Sequence, residues 1–281
     1  VARDPQPRLT LEEPTVYEFD YQRPTDVGAA VRAGSTEDAR FLAGGQSLVQ
    51  AMKLRLSQPA ALVDLGGVTG LASISVADGV VSIGAMTRHS AVALSPEVRT
   101  AVPALAALAG GIGDPMVRNA GTIGGSLANA DPAACYPAGV LGLGATIRTD
   151  RRAIPGDSFF VGLFETALQP GELIVGVDVP IPKRAAYVKF KHPASRFAMV
   201  GVFFSDGPAG IRVGVTGVKS SAFRWTQAEE ALARHGVSPA ALDGLALDPS
   251  DVNGDLHGSA EYRASLVATL TRRAIAEAIG A

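Results

Sequence analysis

The chain has almost no cysteine: Cys135 stands alone among 281 residues. A single thiol forms no internal disulfide, which fits a cytoplasmic protein, and it cannot furnish the four thiolates of an internal iron–sulfur cluster. Histidine is nearly as sparse. His89, His192, His235 and His257 lie far apart and none belongs to a His-Glu-x-x-His pattern, so no metal site is expected. No uninterrupted apolar run reaches the ~18 residues that would make a membrane-span candidate. The longest stretch, 101–113, is broken by Pro103 and rich in glycine, and the first residues are polar, without the apolar core of a leader. Net charge is only −2 and there is no basic stripe with interleaved aromatics, which argues against nucleic acid as a partner. The dinucleotide fingerprint Gly-x-Gly-x-x-Gly is also missing, because Gly111-Ile112-Gly113 and Gly142-Leu143-Gly144 both lack the third glycine. No Gly-x-Ser-x-Gly elbow occurs, and no residue stands out as a general acid or base, so no catalytic residue is assigned.

What the chain does have is a hydrophobic fraction of 47%, enough for a real core, and a length that fits about two domains at ~150 residues each. It also has two glycine-rich segments beside helix-like stretches: Ala43-Gly44-Gly45-Gln46-Ser47 and Thr122-Ile123-Gly124-Gly125-Ser126. Glycine lets bare backbone approach an anion, and the start of a helix points N–H groups and a positive dipole end the same way. One such loop is equally a tight strand-to-helix turn. Two together point to a ligand with a diphosphate, and so to a dinucleotide cofactor. Polar residues Ser126, Asn129 and Asp131 follow the second loop and can line a sugar or ribityl chain. Cys135 reads as a small hydrophobe, with no basic residue beside it in sequence.

Along the chain, residues 1–15 read as a polar tail. Helix is expected near Asp26–Arg32 and Ser47–Leu56, and strand at 41–43 and 62–65. Asp78-Gly79 marks a hairpin, and Ser95-Pro96 a helix start. A break falls near residue 180, after a strand at 173–179 and before Pro180-Ile181-Pro182. Three strands follow (187–191, 199–204, 211–218), then a helix opened by the capping-box pattern Thr226-x-x-Glu229, and a last helix over 260–279. This order reads as an α+β protein divided at 1–15, 16–179 (with subdomains of about 16–66 and 67–179) and 180–281.

The ordered set Ala43-Gly44-Gly45-Gln46-Ser47-Leu48, Met52-Lys53, Leu62-Val63-Asp64-Leu65, Ile83-Gly84-Ala85-Met86-Thr87, Arg118-Asn119-Ala120-Gly121-Thr122-Ile123-Gly124-Gly125-Ser126 and Asp131-Pro132-Ala133-Ala134 resembles the FAD-binding medium subunit of molybdenum hydroxylases. That is the family of the carbon monoxide dehydrogenase and quinoline oxidoreductase medium subunits and of the flavin domain of xanthine dehydrogenase. The resemblance runs from about Phe19 to Ala278. It implies a vanillyl-alcohol-oxidase-type fold, with two α+β subdomains holding FAD and a C-terminal domain of three strands and helices beside them.

It also implies that Ala43, Gly44, Gly45, Gln46 and Ser47 and, from the second loop, Thr122, Gly124, Gly125 and Ser126 contact the FAD diphosphate. Ile112, Ile174 and Lys191 match positions bordering the flavin or adenine, and Phe197 falls where some relatives place a tyrosine near the isoalloxazine. Cys135 replaces an acidic residue that relatives often carry, and Arg196 stands where several have aspartate. The function implied is that of a cytoplasmic electron-transfer subunit. It would take electrons from the [2Fe-2S] clusters of a small partner, fed by a large molybdopterin-binding partner, and pass them to an acceptor such as NAD or a quinone. The alternatives are a free-standing FAD-dependent oxidase or reductase of the same fold, and a scaffold subunit that has lost FAD.

Overall fold

The computed structural model describes residues 16–280; the polar tail expected over 1–15 lies outside them. Several local signals act where their chemistry requires. Asp78 and Gly79 take φ of 50° and 75°, the backbone of a two-residue turn that joins strands Ile74–Ala77 and Val80–Gly84. The Ser95 side chain accepts the Val98 N–H at 3.2 Å and opens helix Pro96–Ala101. Asp26 accepts the Ala29 N–H at 2.8 Å and opens helix Val27–Gly34.

Three sheets of three or more strands organise the described residues, beside a small pair of Phe160–Gly162 with Glu165–Thr166. The first is parallel, with Ala61–Asp64 between Asp20–Gln22 and Ala39–Leu42. Parallel neighbours need a crossover, and the one that leaves Ala39–Leu42 carries the first glycine loop and helix Leu48–Lys53. The second sheet is antiparallel, in the order Ile74–Ala77, Val80–Gly84, Ile174–Pro180, Thr146–Thr149, Ala153–Pro155. Its core also takes in helix Pro103–Gly110 and the start of helix Ile123–Asn129. The third is antiparallel, Arg184–Lys191, Ala198–Gly207, Gly210–Thr216, and a two-residue strand Phe223–Arg224 extends the three strands read from sequence. The C-terminal helix Ala260–Ile279 covers it.

The C-terminal part does not stand apart from the rest. Helix Cys135–Leu143 is buried along its whole length and apolar all round, the signature of a helix enclosed by protein. It packs on strands Ala198–Gly207 and Gly210–Thr216 as well as on helix Pro103–Gly110 and strand Ile174–Pro180. Phe203, from the third sheet, belongs to the core of the second. At the edge of this junction Asp157 meets Arg212 and, at 3.2 Å, Arg224.

The capping box is not formed. Trp225 occupies the N-cap position of helix Thr226–His235, and no side chain caps it. Glu229 is drawn away to accept the Val213 N–H at 2.8 Å and to pair with Arg224 at 2.5 Å. A buried strand N–H and a guanidinium outcompete a helix end that water can reach. Among the described residues no helix is long and apolar enough to cross a membrane.

Glu172 sits at the centre of a ring of donors. Its side chain is buried and accepts from Arg152 (2.9 and 3.0 Å), the Thr149 hydroxyl (2.8 Å) and the Gln169 N–H (2.8 Å). Those bonds, led by the one from Arg152, hold its carboxyl down at about 2 against an ordinary 4.5. A depressed pKa stabilises the fold above the unfolded value and loses that stabilisation as pH falls. Glu172→Gln is therefore expected to cost on the order of 2–3 kcal/mol at neutral pH. In thermal melts, the gap between wild type and variant should close as pH drops from 4.5 towards 2.

Candidate functional site

The first loop, Ala43 to Ser47, leaves the end of strand Ala39–Leu42 and turns at Gly45, where φ is +69°. The backbone N–H groups of Gly44, Gly45, Gln46 and Ser47 donate to no acceptor among the described residues. The Ser47 hydroxyl caps nothing, and the Gln46 amide reaches back only to Gly44 O at 3.3 Å. The helix that follows, Leu48–Lys53, has six residues. The donors here are therefore fixed N–H groups rather than the end of a long macrodipole.

The second loop is built differently. Ile123 and Gly124 donate their N–H groups to Thr87 O (3.0 Å) and Ala85 O (2.8 Å), and Gly121 O accepts from His89 N–H at 3.0 Å. Gly125 N–H is held by the Thr122 side chain at 3.1 Å. The sequence expected bare N–H groups in both loops; the structure leaves them open in the first and occupies most of them in the second. What the second loop offers is the side chains of Ser126 and Asn129, both half-buried and free of protein partners among the described residues. Asp131 follows, with one oxygen accepting the Ala133 N–H at 2.8 Å and its pKa raised by burial.

The two loops touch. A Cβ at Gly44 would collide with the Ala120 carbonyl oxygen and lie 2.7 Å from Gly121 Cα. Only hydrogen fits there. A run of open N–H donors, hydroxyls at Ser47 and Ser126, and no carboxylate in either loop make the donor set that phosphate oxygens require.

A cleft of about 480 Å³ opens between Gly111, Gly113 and Arg118 on one side and Lys191, His192 and Arg196 on the other. Ile112 lies between its two glycines, half-buried against the core, and Phe197 follows Arg196 at 48% exposed. Ile174 is not brought to this surface: it is 4% exposed within the second sheet, so its side chain has little area to offer a ligand.

Cys135 is buried too, but it has a neighbour that sequence reasoning missed. The Lys189 ammonium lies 3.2 Å from its sulfur and donates to Gly111 O at 2.7 Å and Arg196 O at 3.2 Å. The hydroxyl of Tyr187, two residues before it, is buried without a hydrogen-bond partner among the described residues, and burial and then Cys135 raise its pKa. The clue was present in the alternation of Tyr187, Lys189 and Lys191 with Val188 and Phe190, which puts the three polar-tipped residues on one strand face. His89 Nδ1 and Tyr136 OH are also buried and without hydrogen-bond partners among the described residues, with ring centroids 5.3 Å apart. Burial, helped by the charge of Arg118, pushes His89 down to about 4, so it is neutral at physiological pH.

Residues 17–182 match the family model described as the FAD binding domain in molybdopterin dehydrogenase, and residues 185–278 match the CO dehydrogenase flavoprotein C-terminal domain. The chain is 37% identical, over 93% of its length and 94% of the relative's, to the 6-hydroxypseudooxynicotine dehydrogenase complex subunit alpha of Paenarthrobacter nicotinovorans. It is 34% identical, over 92% of its length and 96% of the relative's, to the carbon monoxide dehydrogenase medium chain of Hydrogenophaga pseudoflava. Among solved structures, it superposes with a TM-score of 0.85 on carbon monoxide dehydrogenase from Hydrogenophaga pseudoflava lacking the Mo-pyranopterin moiety (34% identity; 94% of this chain, 98% of that one). The score is 0.82 on quinoline 2-oxidoreductase from Pseudomonas putida 86 (29% identity; 94% and 98%).

Gly44→Ala is expected to push the two loops apart and lower FAD affinity about tenfold or more, the order of a lost pair of charge-assisted hydrogen bonds. Flavin content per chain after gel filtration, with circular dichroism as a control for folding, checks this.

Proposed function

The chain belongs to the family of FAD-binding medium subunits of molybdenum hydroxylases, and from that premise we propose that it carries electrons from a partner's [2Fe-2S] clusters to an external acceptor. The observation that carries the reading is the open row of N–H groups at Gly44–Ser47 held against the second loop with no acid in either. FAD is the cofactor of this family, and when bound it supplies the two-electron chemistry. In this reading residues 16–179 hold it and 180–281 close over one side. Ala43 to Ser47 would hold the diphosphate with backbone N–H groups. Thr122, Gly124, Gly125 and Ser126 would shape the opposite wall, with the Ser126 hydroxyl as its donor. Asn129 and Asp131 would meet sugar or ribityl hydroxyls. Ile112, Lys191 and Phe197 would flank the rings, with Ile174 and Cys135 packing behind.

The division of labour follows from the sequence. One cysteine cannot ligate a cluster, so the clusters belong to a small partner subunit and the molybdenum cofactor to a large one, in a cytoplasmic complex. Carbon monoxide dehydrogenase and the nicotine-derivative dehydrogenase named above are relatives of the chain, and their names tie the family to multi-subunit oxidoreductases.

The purified chain is expected to show oxidised-flavin absorption bands and to release FAD, rather than the mononucleotide, on heating. In stopped flow, the flavin bands should bleach only when the cluster-bearing partner is present and reduced. Bleaching by an organic substrate in the absence of any partner would make the chain a free-standing flavoenzyme instead.

A further inference from the structure

We propose that the cleft between Gly111–Arg118 and Lys191–Arg196 receives a small anionic electron acceptor, an assignment that rests on the electron-transfer reading above. The chain as a whole is slightly acidic, yet Arg118, Lys191 and Arg196 converge on this cleft with His192, and no carboxylate among the described residues lines it. Among the described residues, the Arg118 guanidinium donates only to the carbonyls of Ile112 (3.0 Å) and Gly113 (3.3 Å). The side chains of Lys191 and Arg196 have no hydrogen bond or ion pair among the described residues. The neighbouring acid, Asp114, turns its carboxylate to the Val117 N–H at 3.0 Å.

Several arginines elsewhere pair with acids, Arg148 with Asp178, Arg152 with Glu172, Arg184 with Asp206 and Arg263 with Asp255, while others, such as Arg88 and Arg99, pair with none among the described residues; what sets the recess apart is that its cations converge on one concavity. Uncompensated cations gathered in a concave, partly shielded place focus field and concentrate anions. The walls are also held in position. Lys189 bonds Gly111 O on one wall and Arg196 O on the other. At the tip, His192 Nδ1 accepts the N–H groups of Ala194 (3.3 Å) and Ser195 (3.2 Å). The cleft is thus a positively charged recess with its walls tied together; none of residues 43–47 lines it, and it shares Lys191 with the region proposed above to flank the cofactor's rings.

The test uses the holo-complex, reduced with dithionite and mixed with naphthoquinone or with naphthoquinone sulfonate while the flavin bands are followed. In both reactions one quinone takes the two electrons and two protons of the reduced cofactor and becomes a hydroquinone, so the probes differ in charge and share their chemistry. Wild type is expected to prefer the sulfonate, with the preference fading as salt rises. The ratio of the two rates should fall about tenfold in Arg196→Gln and further in Arg196→Glu, with most of it kept in Arg196→Lys. Two results would overturn the proposal. Rates that shift in parallel, or not at all, would leave Arg196 acting on the cofactor's potential or on nothing. Loss of FAD from the Arg196 variants would make the recess a seat for the cofactor's own phosphates. A wild-type complex reoxidised by neither quinone would instead refute the electron-transfer reading on which the assignment rests.

Discussion

Everything at the site depends on one contact, that of Gly44 with the Ala120–Gly121 backbone. The first loop leaves a parallel sheet and the second is anchored to the 85–89 segment beside an antiparallel one, so each comes from a different layer of the fold. Their meeting puts unoccupied N–H groups on one wall opposite hydroxyl and amide side chains on the other. A methyl group at residue 44 is enough to undo it, because backbone on both sides has nowhere to move. The glycine is therefore needed less for contact with a ligand than for contact with the other loop.

The C-terminal domain completes what the loops begin. The Thr216 hydroxyl lies 2.5 Å from Pro132 O and 2.8 Å from Ala134 O, and Gly217 N–H also donates to Pro132 O at 2.7 Å. The segment that carries Asp131 is thereby held by the far sheet. Helix Cys135–Leu143, enclosed on all sides, makes the two parts one packed unit, and Lys189 extends that union to the rim of the recess.

The signals legible in the sequence were those that one or two residues decide alone. Asp78-Gly79 sets its own turn, Ser95-Pro96 starts its own helix, and glycine runs mark where backbone must come close. Features decided by distant partners were not legible. Thr226-x-x-Glu229 has the spacing of a cap, yet Glu229 answers to Val213 and Arg224, one of them on a strand the periodicity did not show. Cys135 has no basic residue near it in sequence, yet an ammonium from 54 positions away stands beside it. The loops read as equivalent anion cradles because composition does not reveal that Ala85 and Thr87 already take the second loop's N–H groups.

The turn over 192–197 satisfies its own backbone. His192 O accepts the Arg196 N–H at 2.9 Å, and His192 N–H donates to Phe197 O at 2.8 Å. Two ties join it to the body of the protein: the His192 ring meets the His257 ring edge-on at 4.3 Å, and Lys189 donates to the Arg196 carbonyl, a group that every residue type possesses. Exchanging the Arg196 side chain would change the charge the recess presents without touching the backbone bonds that hold the turn, whereas position 44 has no room for any side chain.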